Sequence, residues 1–379
     1  MTKQVALGQP TVGQRELDAI RSVFDSGWLS GAGPTCVQFE KNFASVAGVD
    51  NVLATSNCGS ALHLALLALG AGPGDDVLVA DYTFPATGHT VMWTGARPVF
   101  VDVRPDIWSI DTTLLSDAVT ERTVGVIAVD PFGQPADYDE LVEFCRARGL
   151  WLIEDAACAT GASYRGRKVG EIADLTAYSF HGRKGITSGE GGALASPNDE
   201  LIAHARKLHT YGISPAIARD ASRELPVPSF DELGYNYRLS DVQAAIMLVQ
   251  LERLPQLLAA RRSVATGYAE RLGDLDLVTL PTALPDRDHS WQSYVIAVDE
   301  SLDRGAVATS LRQRGVGCNF GTYASHLQPL YGEQKSLPVS ADLFARHIAI
   351  PMHANMTEDD IDYVADTVRS VLTDTDNRR

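Results

Sequence analysis

Short runs of mostly apolar residues alternate with helix-length segments between about residues 50 and 200. The runs span residues 76–79, 98–102, 123–129 and 150–153. Strands that are apolar on both faces are typical of buried parallel sheets, and their alternation with helices indicates βαβ units. The pattern therefore predicts an α/β protein whose largely parallel sheet is covered by helices.

Helical patterns flank this region. Residues 14–26 and 36–46 have the spacing of amphipathic helices. Patterns toward the end of the chain are weaker, and they predict strands at 277–280 and 293–298 and helices at 305–315 and 357–372.

A long helical stretch covers residues 240–271 and contains Pro255. A proline inside a helix removes a hydrogen bond and favours a kink. We therefore place a domain boundary there, with a large domain over residues 1–255 and a smaller C-terminal domain over 256–379.

Composition and charge limit the kinds of molecule that the protein is expected to bind. The chain has 379 residues, 45% of them apolar, and 48 Asp and Glu against 32 Lys and Arg give a formal net charge of −16. This charge argues against nucleic acid, and an anionic ligand would need local donors such as helix N-termini. No apolar run approaches the roughly 18 residues of a membrane span, and the first residues lack a signal-peptide pattern. We expect a cytoplasmic protein without membrane contact.

The five cysteines are scattered and include no C-x-x-C pair. An odd, scattered set fits neither a disulfide framework nor a zinc site. We expect reduced thiols and no metal centre.

Residues 54–69 join a turn of small residues to a strongly helical run, and Gly70 follows as a stop. Free N–H groups at such a helix start, together with the helix dipole, suit a phosphate. An ordinary helix cap with Gly59 in the turn is the alternative, and this stretch alone leaves both open.

Two acids end a predicted strand. Residues 150–153 lead directly into Glu154 and Asp155. Ligands of α/β sheets bind at the carboxyl ends of strands, so one of these acids is a candidate for facing a site. An acid that caps the next segment is the alternative.

Lys184 lies in a glycine-rich turn between two strand-like segments. A lysine is usually a solvated surface charge, but near apolar walls and a cationic ring it can lose its proton and attack a carbonyl. A phosphate cradle, a strand-end carboxylate and such a lysine are the parts that hold pyridoxal phosphate.

Other enzyme motifs are weaker or missing. Tyr164 and Lys168 have the spacing of the short-chain dehydrogenase pair, but the glycines around them favour a hairpin over a helix. The sequence contains no G-x-G-x-x-G after a strand, Walker loop, H-E-x-x-H or G-x-S-x-G.

The chain resembles the DegT/StrS group of nucleotide-sugar aminotransferases, which are fold-type I pyridoxal-phosphate enzymes, over about residues 9–372. The most specific string is Ser-Phe-His-x-x-Lys-x-x-x-x-Gly-Glu-Gly-Gly, and supporting strings lie at 26–29, 72–75, 82–84 and 234–238. The resemblance implies a large domain with a mainly parallel seven-stranded sheet between helices, and a smaller C-terminal α/β domain.

Roles follow from the resemblance for residues around the cofactor ring. Lys184 would condense with the cofactor aldehyde and then shuttle a proton, and Asp155 would pair with the pyridine nitrogen. Phe84 would stack on the ring, and His181 would lie beside the substrate. Cys158 stands where a Gln or His often touches the ring hydroxyl, so this contact is weakened.

The resemblance also implies a phosphate-binding set. Its members within one subunit are Cys58, Gly59, Ser60 and Ser179. Cys58-Gly59 replaces a more common pair that carries a hydroxyl, so that contact would move to Ser60. Asn236, and less strongly Arg238, would reach the phosphate from a partner subunit, which makes a homodimer the smallest active unit.

These implications lead to a two-step aminotransferase. L-Glutamate would convert the cofactor to pyridoxamine phosphate, which would then aminate the ketone of a sugar. Lys184 would serve as acid and base near neutral pH, which requires the site to lower its pKa.

The strings at 26–29 and 234–245 favour a nucleotide-linked 4-keto-6-deoxyhexose as acceptor. A keto-cyclitol is the alternative, since residues 187–192 are compatible with that branch of the family, and a non-catalytic pyridoxal-binding regulator is a third interpretation. Residues 214–228 and 321–334 are candidates for substrate-contacting loops.

Overall fold

The computed structural model describes residues 3–213, 228–374 and 377–378. Its strands are β1 (Asn51–Thr55), β2 (Asp76–Ala80), β3 (Tyr82–Thr83), β4 (Arg97–Val101), β5 (Thr123–Val129), β6 (Trp151–Asp155), β7 (Ser163–Tyr164), β8 (Arg167–Lys168), β9 (Leu175–Ser179), β10 (Gly192–Ser196), β11 (Val278–Thr279), β12 (Arg287–Asp288), β13 (Tyr294–Val298), β14 (Asn319–Phe320), β15 (Tyr323–Ala324) and β16 (His347–Ile350).

The α-helices of the described residues are α1 (Gln14–Ser26), α2 (Pro34–Ala47), α3 (Cys58–Ala68), α4 (Ala86–Trp93), α5 (Leu115–Ala118), α6 (Tyr138–Arg148), α7 (Asp199–Leu208), α8 (Asp241–Leu272), α9 (Arg304–Gln313), α10 (Pro338–Arg346) and α11 (Glu358–Thr373). The predicted helix 14–26 and the predicted strand 123–129 are confirmed with the same bounds.

A seven-stranded sheet in the order β1-β10-β9-β6-β5-β2-β4 forms the centre of the large domain. Strands β9, β6, β5, β2 and β4 run parallel, whereas β10 is antiparallel to both of its neighbours. Apolar side chains on one face pack with α3, α4 and α7, and those on the other pack with α2, α6 and α8. The predicted α/β class and its helix-covered, mainly parallel sheet are confirmed.

The C-terminal part forms its own core. An antiparallel sheet in the order β11-β13-β16-β14 packs with α9, α11 and the end of α8. Helix α8 continues through Pro255; Met247 belongs to the core of the large domain, and Tyr268 belongs to the C-terminal core. These contacts support a boundary near residue 255, which we retain as a proposal.

A hairpin occupies the segment that has dehydrogenase-like spacing. Strands β7 and β8 pair antiparallel, with Tyr164 opposite Arg167. Tyr164 and Lys168 therefore do not lie on one helix face. Of the two candidate substrate loops, residues 214–227 lie outside the described part of the chain.

Candidate active site

A cavity opens at the carboxyl ends of β5 and β6 and is closed on its far side by residues 319–323 of the C-terminal part. The predicted site residues that line it are Phe84, Asp155, Cys158, His181 and Lys184. Five candidates that are widely separated in sequence thus share one cavity, at the edge of the sheet where α/β proteins bind ligands.

Asp155 is the last residue of β6, and its carboxylate is held by two donors. Thr87 Oγ1 donates to Oδ2 at 2.8 Å, and the Ala157 backbone N–H donates to Oδ1 at 3.2 Å. Burial raises the pKa of Asp155, and these hydrogen bonds counteract that rise. The carboxylate is therefore fixed in place at the cavity, where it can pair with a ring N–H.

Glu154 points to the other face of the sheet, because successive strand residues alternate. Its Oε2 accepts from Thr176 Oγ1 at 2.8 Å and from the Gly170 N–H at 3.0 Å. Of the two strand-end acids, only Asp155 is among the residues that line the cavity.

Lys184 follows β9 in a tight turn, where its N–H donates to the His181 carbonyl at 2.8 Å. Its Nζ lies 3.2 Å from Cys158 Sγ. Burial lowers the pKa of the lysine, but the contact with Cys158 and the carboxylate of Asp155 raise it, and the net direction is upward. The protein groups described here therefore do not lower this pKa by themselves, and the expectation that the complete site with its cofactor lowers it stays a prediction.

The predicted phosphate residues meet beside the start of α3. Ser179 lies opposite Gly192, and Gly192 lies opposite Thr55. A Cβ on Gly192 would lie 2.6 Å from the backbone carbon of Asn57 and 2.8 Å from the Cys58 nitrogen, so glycine permits this approach. The helix N-terminus and the end of β9 therefore form one concave surface of small residues.

Asn57 caps α3, since its Oδ1 accepts from the Ser60 N–H at 2.8 Å. Ser60 Oγ lies 3.0 Å from Ser56 Oγ, and Gly59 adds no side chain to the first turn. The structure thus contains the ordinary helix cap, and the cap directs the first turn of α3 toward the surface formed with Ser179. The cap is therefore observed, and the phosphate site at this helix start stays a prediction.

Two aromatic candidates lie at the mouth of the cavity. Phe84 is 62% exposed, and its ring meets that of Tyr323 edge-on at 6.2 Å between centroids. His181 is half-buried, and its Nδ1 accepts from the Arg183 N–H at 3.3 Å. Phe84 therefore has an open ring face, and His181 stands on the wall nearest Lys184.

The structure does not bring Asn236 and Arg238 into the cavity of their own chain. Arg238 pairs with Thr55 through the backbone, and its guanidinium lies 5.6 Å from the Tyr211 ring centre. Asn236 is exposed. Both lie on a surface segment that runs beside the start of α3.

Thr87 was missed by the sequence reasoning, although it donates the shortest hydrogen bond recorded to Asp155. It follows Phe84 by three residues and lies in the first turn of α4, where its Oγ1 also contacts the Phe84 carbonyl at 3.2 Å. That spacing could have pointed to Thr87 from the sequence, but a threonine near a helix start is usually an ordinary polar residue.

These residues fit pyridoxal phosphate: a fixed carboxylate, an amine near it, an open aromatic face, and a glycine-shaped helix N-terminus that suits an anion. Among the described residues, no group of three or more metal-ligating side chains is placed to hold a metal ion. In the same part of the chain, no helix is long and apolar enough to cross a membrane.

Known proteins resemble the chain over nearly its whole length. GDP-perosamine synthase of Caulobacter vibrioides is 36% identical over 374 residues, covering 97% of this chain and 98% of that protein. The crystal structure of the aminotransferase TlmJ from Streptoalloteichus hindustanus matches with 34% identity and a TM-score of 0.91, covering 98% of this chain and 99% of that one. The pyridoxal-phosphate form of Spr1654, a putative sugar aminotransferase from Streptococcus pneumoniae, matches with 25% identity and a TM-score of 0.90 over 98% of this chain and 99% of that one.

The model of the DegT/DnrJ/EryC1/StrS aminotransferase family matches residues 10–369. With the geometry above, this match confirms the resemblance, the cofactor and the enzyme class, and it leaves no support for a non-catalytic regulator. The chain belongs to the DegT/DnrJ/EryC1/StrS aminotransferase family and is a pyridoxal-phosphate-dependent sugar aminotransferase.

Proposed function

We propose that the protein transfers the amino group of L-glutamate to the C4 ketone of a nucleotide-linked 4-keto-6-deoxyhexose. The observation that carries the proposal is the meeting of Lys184, Asp155 and Cys158 in a cavity with an open mouth. The choice of acceptor is supported by the 36% identity to a synthase named for GDP-perosamine, a nucleotide-linked amino sugar.

Pyridoxal phosphate, when bound, supplies an aldehyde that accepts an amino group and a ring that takes up the electrons of a carbanion. Lys184 would hold the aldehyde carbon through its Nζ between reactions. Once a substrate amine displaces it, the free Nζ is placed to move a proton at the substrate carbon. Its contact with Cys158 holds the amine on this side of the cavity.

Asp155 would keep the ring nitrogen protonated by accepting its N–H. Thr87 and the Ala157 N–H hold the carboxylate for this bond, and Oδ1 and Oδ2 each keep further acceptor capacity. Phe84 would cover one ring face, the geometry in which an aromatic side chain holds a flat group well.

The phosphate would lie between Ser179 and the first turn of α3, where Gly59 and the Ser60 hydroxyl would contact it and the helix dipole favours an anion. This local field would act against the net charge of −16. Cys58 contributes its place in the turn rather than a charge, because burial raises its thiol pKa.

A homodimer would complete the site. Asn236 is exposed, and large apolar side chains around it are exposed as well, among them Tyr211, Phe230 and Leu233. Exposed apolar side chains that cluster mark interaction surfaces. We propose that Asn236, with Arg238 as a second candidate, binds the phosphate of the partner subunit.

Release of 2-oxoglutarate from L-glutamate tests the substrates. We expect release with a GDP- or dTDP-linked 4-keto-6-deoxyhexose and not with a keto-cyclitol. Release with the cyclitol alone would replace the proposed acceptor. Faster formation of the amino product with L-glutamine than with L-glutamate would replace the donor. The Lys184→Ala variant is the control for background reaction.

Mixed dimers test the role of Asn236. Lys184→Ala and Asn236→Ala are each expected to be nearly inactive alone. If Asn236 acts across the interface, dissociating and reassociating the two restores up to roughly a quarter of the activity, because half the dimers then contain one intact site. No recovery from confirmed mixed dimers would place Asn236 in the site of its own subunit or outside both.

A further inference from the structure

Two buried acids lie at the base of the cavity, where two neighbouring strands end, and Asp130 is one of the residues that line it. Asp130 follows the end of β5, and Glu154 lies next to last in β6. Both are fully buried. Ala128 lies opposite Glu154 in the paired strands, and Asp130, two residues after Ala128, continues on the same side, so the two carboxyl groups lie next to each other.

Each carboxyl group uses one oxygen for ordinary donors. Asp130 Oδ1 accepts from Tyr138 Oη at 2.7 Å and from the Ala136 N–H at 2.9 Å, while Glu154 Oε2 accepts from Thr176 and Gly170. Within the described part of the chain, the other oxygens, Asp130 Oδ2 and Glu154 Oε1, have no N–H or O–H partner.

Two adjacent buried carboxylates cannot both be ionised at low cost, and a buried oxygen without a donor is costly. One proton between Asp130 Oδ2 and Glu154 Oε1 removes both penalties. We infer that Asp130 and Glu154 share one proton and act as a positioning pair for the substrate-side wall of the cavity.

The wall is connected to this pair by backbone hydrogen bonds. The Asp130 N–H donates to the Asp155 carbonyl at 3.1 Å, and the next turn contains Phe132 in a left-handed conformation with φ of 57°. The Phe132 carbonyl accepts from the Gln292 N–H at 2.9 Å. Phe132 and Gln292 both line the cavity, so the pair supports the turn on which the C-terminal part rests.

Among the described residues, no cation is found among the groups that shift the pKa values of the pair. Its titratable neighbours are Tyr138 from α6 and Tyr178 from β9, with Glu171 beyond Tyr178. Burial raises the pKa of both carboxyl groups, and for Asp130 the charge of Glu154 raises it further. The shared proton would therefore be lost at a higher pH than an ordinary carboxyl proton, and repulsion would then displace the turn.

Infrared difference spectra between the wild-type holoenzyme and each variant at neutral pH test whether the two acids share a proton. We expect a protonated-carboxyl band in the wild type that Asp130→Asn and Glu154→Gln each remove, because either amide donates permanently to the remaining carboxylate. Asp102→Asn is the control, since Asp102 is also buried but its two oxygens accept from Val339, Ser340 and Val103. A wild-type spectrum without the band, or a band that both pair variants retain, overturns the inference.

Kinetics test the positioning role. Asp130→Ala is expected to raise the KM for the acceptor by roughly tenfold, with a smaller change in kcat. Asp130→Asn should restore the KM and remove the rise in KM that the wild type shows when the pair loses its proton. Equal KM values for Asp130→Ala and Asp130→Asn contradict the role. This arm rests on the proposed acceptor, whereas the infrared arm needs none, so failure of the pair and failure of the substrate assignment are distinguishable.

Discussion

Glu154 and Asp155 are consecutive acids of one strand, yet they lie in two different environments. Asp155 shares the α3 and α4 face of the sheet with Ile153, and its donors are a threonine of α4 and a backbone N–H. Glu154 shares the α6 face with Leu152, where another buried acid faces it. One residue step in a strand thus separates a carboxylate that faces the ligand cavity from one that supports the cavity wall.

The largest predicted effect distinguishes the two acids directly. Asp155→Asn should lower turnover roughly a thousandfold, because an amide cannot balance a protonated ring nitrogen. Glu154→Gln should lower it less than roughly tenfold, because its amide replaces the shared proton. Steady-state rates with saturating cofactor measure both. A larger loss for Glu154→Gln would exchange the roles assigned to the two faces.

A third buried acid differs from these two in its electrostatic environment. Arg97 donates to both oxygens of Asp76 at 2.8 and 2.7 Å and, together with Thr120, lowers the pKa of Asp76 from 3.8 to about 2. Its stabilisation is present above pH 3.8 and is lost as the pH falls through about 2. Asp76→Asn should lower the free energy of unfolding at neutral pH by roughly 1–2 kcal/mol, and the difference should vanish near pH 2.

The Asp130–Glu154 pair should show the opposite trend, since its folded-state pKa values are raised. The folded protein then loses stability as the pH rises from the unfolded carboxyl pKa toward the folded ones. Denaturation of Asp130→Asn against the wild type across pH measures this trend. A constant difference at all pH values would contradict it.

Two threonines each donate a hydrogen bond to one of the two acids, so their substitutions can be compared directly. Thr87 donates to Asp155 at 2.8 Å, and Thr176 donates to Glu154 at the same distance. Removal of one hydrogen bond to a charged group costs about 1.5 kcal/mol, so Thr87→Val should lower kcat roughly tenfold. Thr176→Val should act mainly on stability, and Thr87→Ser should recover most of the rate. Equal kcat losses in the two valine variants would contradict the separate roles of Asp155 at the cofactor and Glu154 at the wall.

The smallest predicted effect compares the two cysteines of the site. Cys158 lies 3.2 Å from Lys184 Nζ, whereas Cys58 lies 4.0 Å from Asp155. Cys158→Ala should shift the pH titration of the cofactor absorbance and lower kcat by about threefold, a change of under 1 kcal/mol. Cys58→Ala should leave that titration in place. Identical titrations for both variants would exclude Cys158 as a contact that tunes the lysine.

The sequence predicts the large elements well because long, regular apolar patterns depend on local periodicity. The strand at 123–129 and the helix at 14–26 have their predicted bounds for this reason. The structure also brings Lys184 and Asp155 into one cavity, and the roles that the resemblance implies for them stay predictions.

The remaining features depend on distant pairings. Asp130 meets Glu154 only because β5 and β6 pair with Val129 opposite Asp155, and no local pattern encodes that register. The upward pKa direction of Lys184 likewise depends on Cys58 and Asp155, which belong to other elements. The role of Asn236 involves a second chain, so it stays a prediction, as does a cytoplasmic location.

Borohydride reduction of the holoenzyme followed by peptide mass mapping tests whether Lys184 is the residue that binds the cofactor. Reduction fixes the cofactor to the amine that holds it, so the modified peptide identifies that residue. We predict a single modification on Lys184, which is absent from Lys184→Ala. Modification of another lysine, such as Lys168 or Lys207, or none in the wild type, would contradict the account.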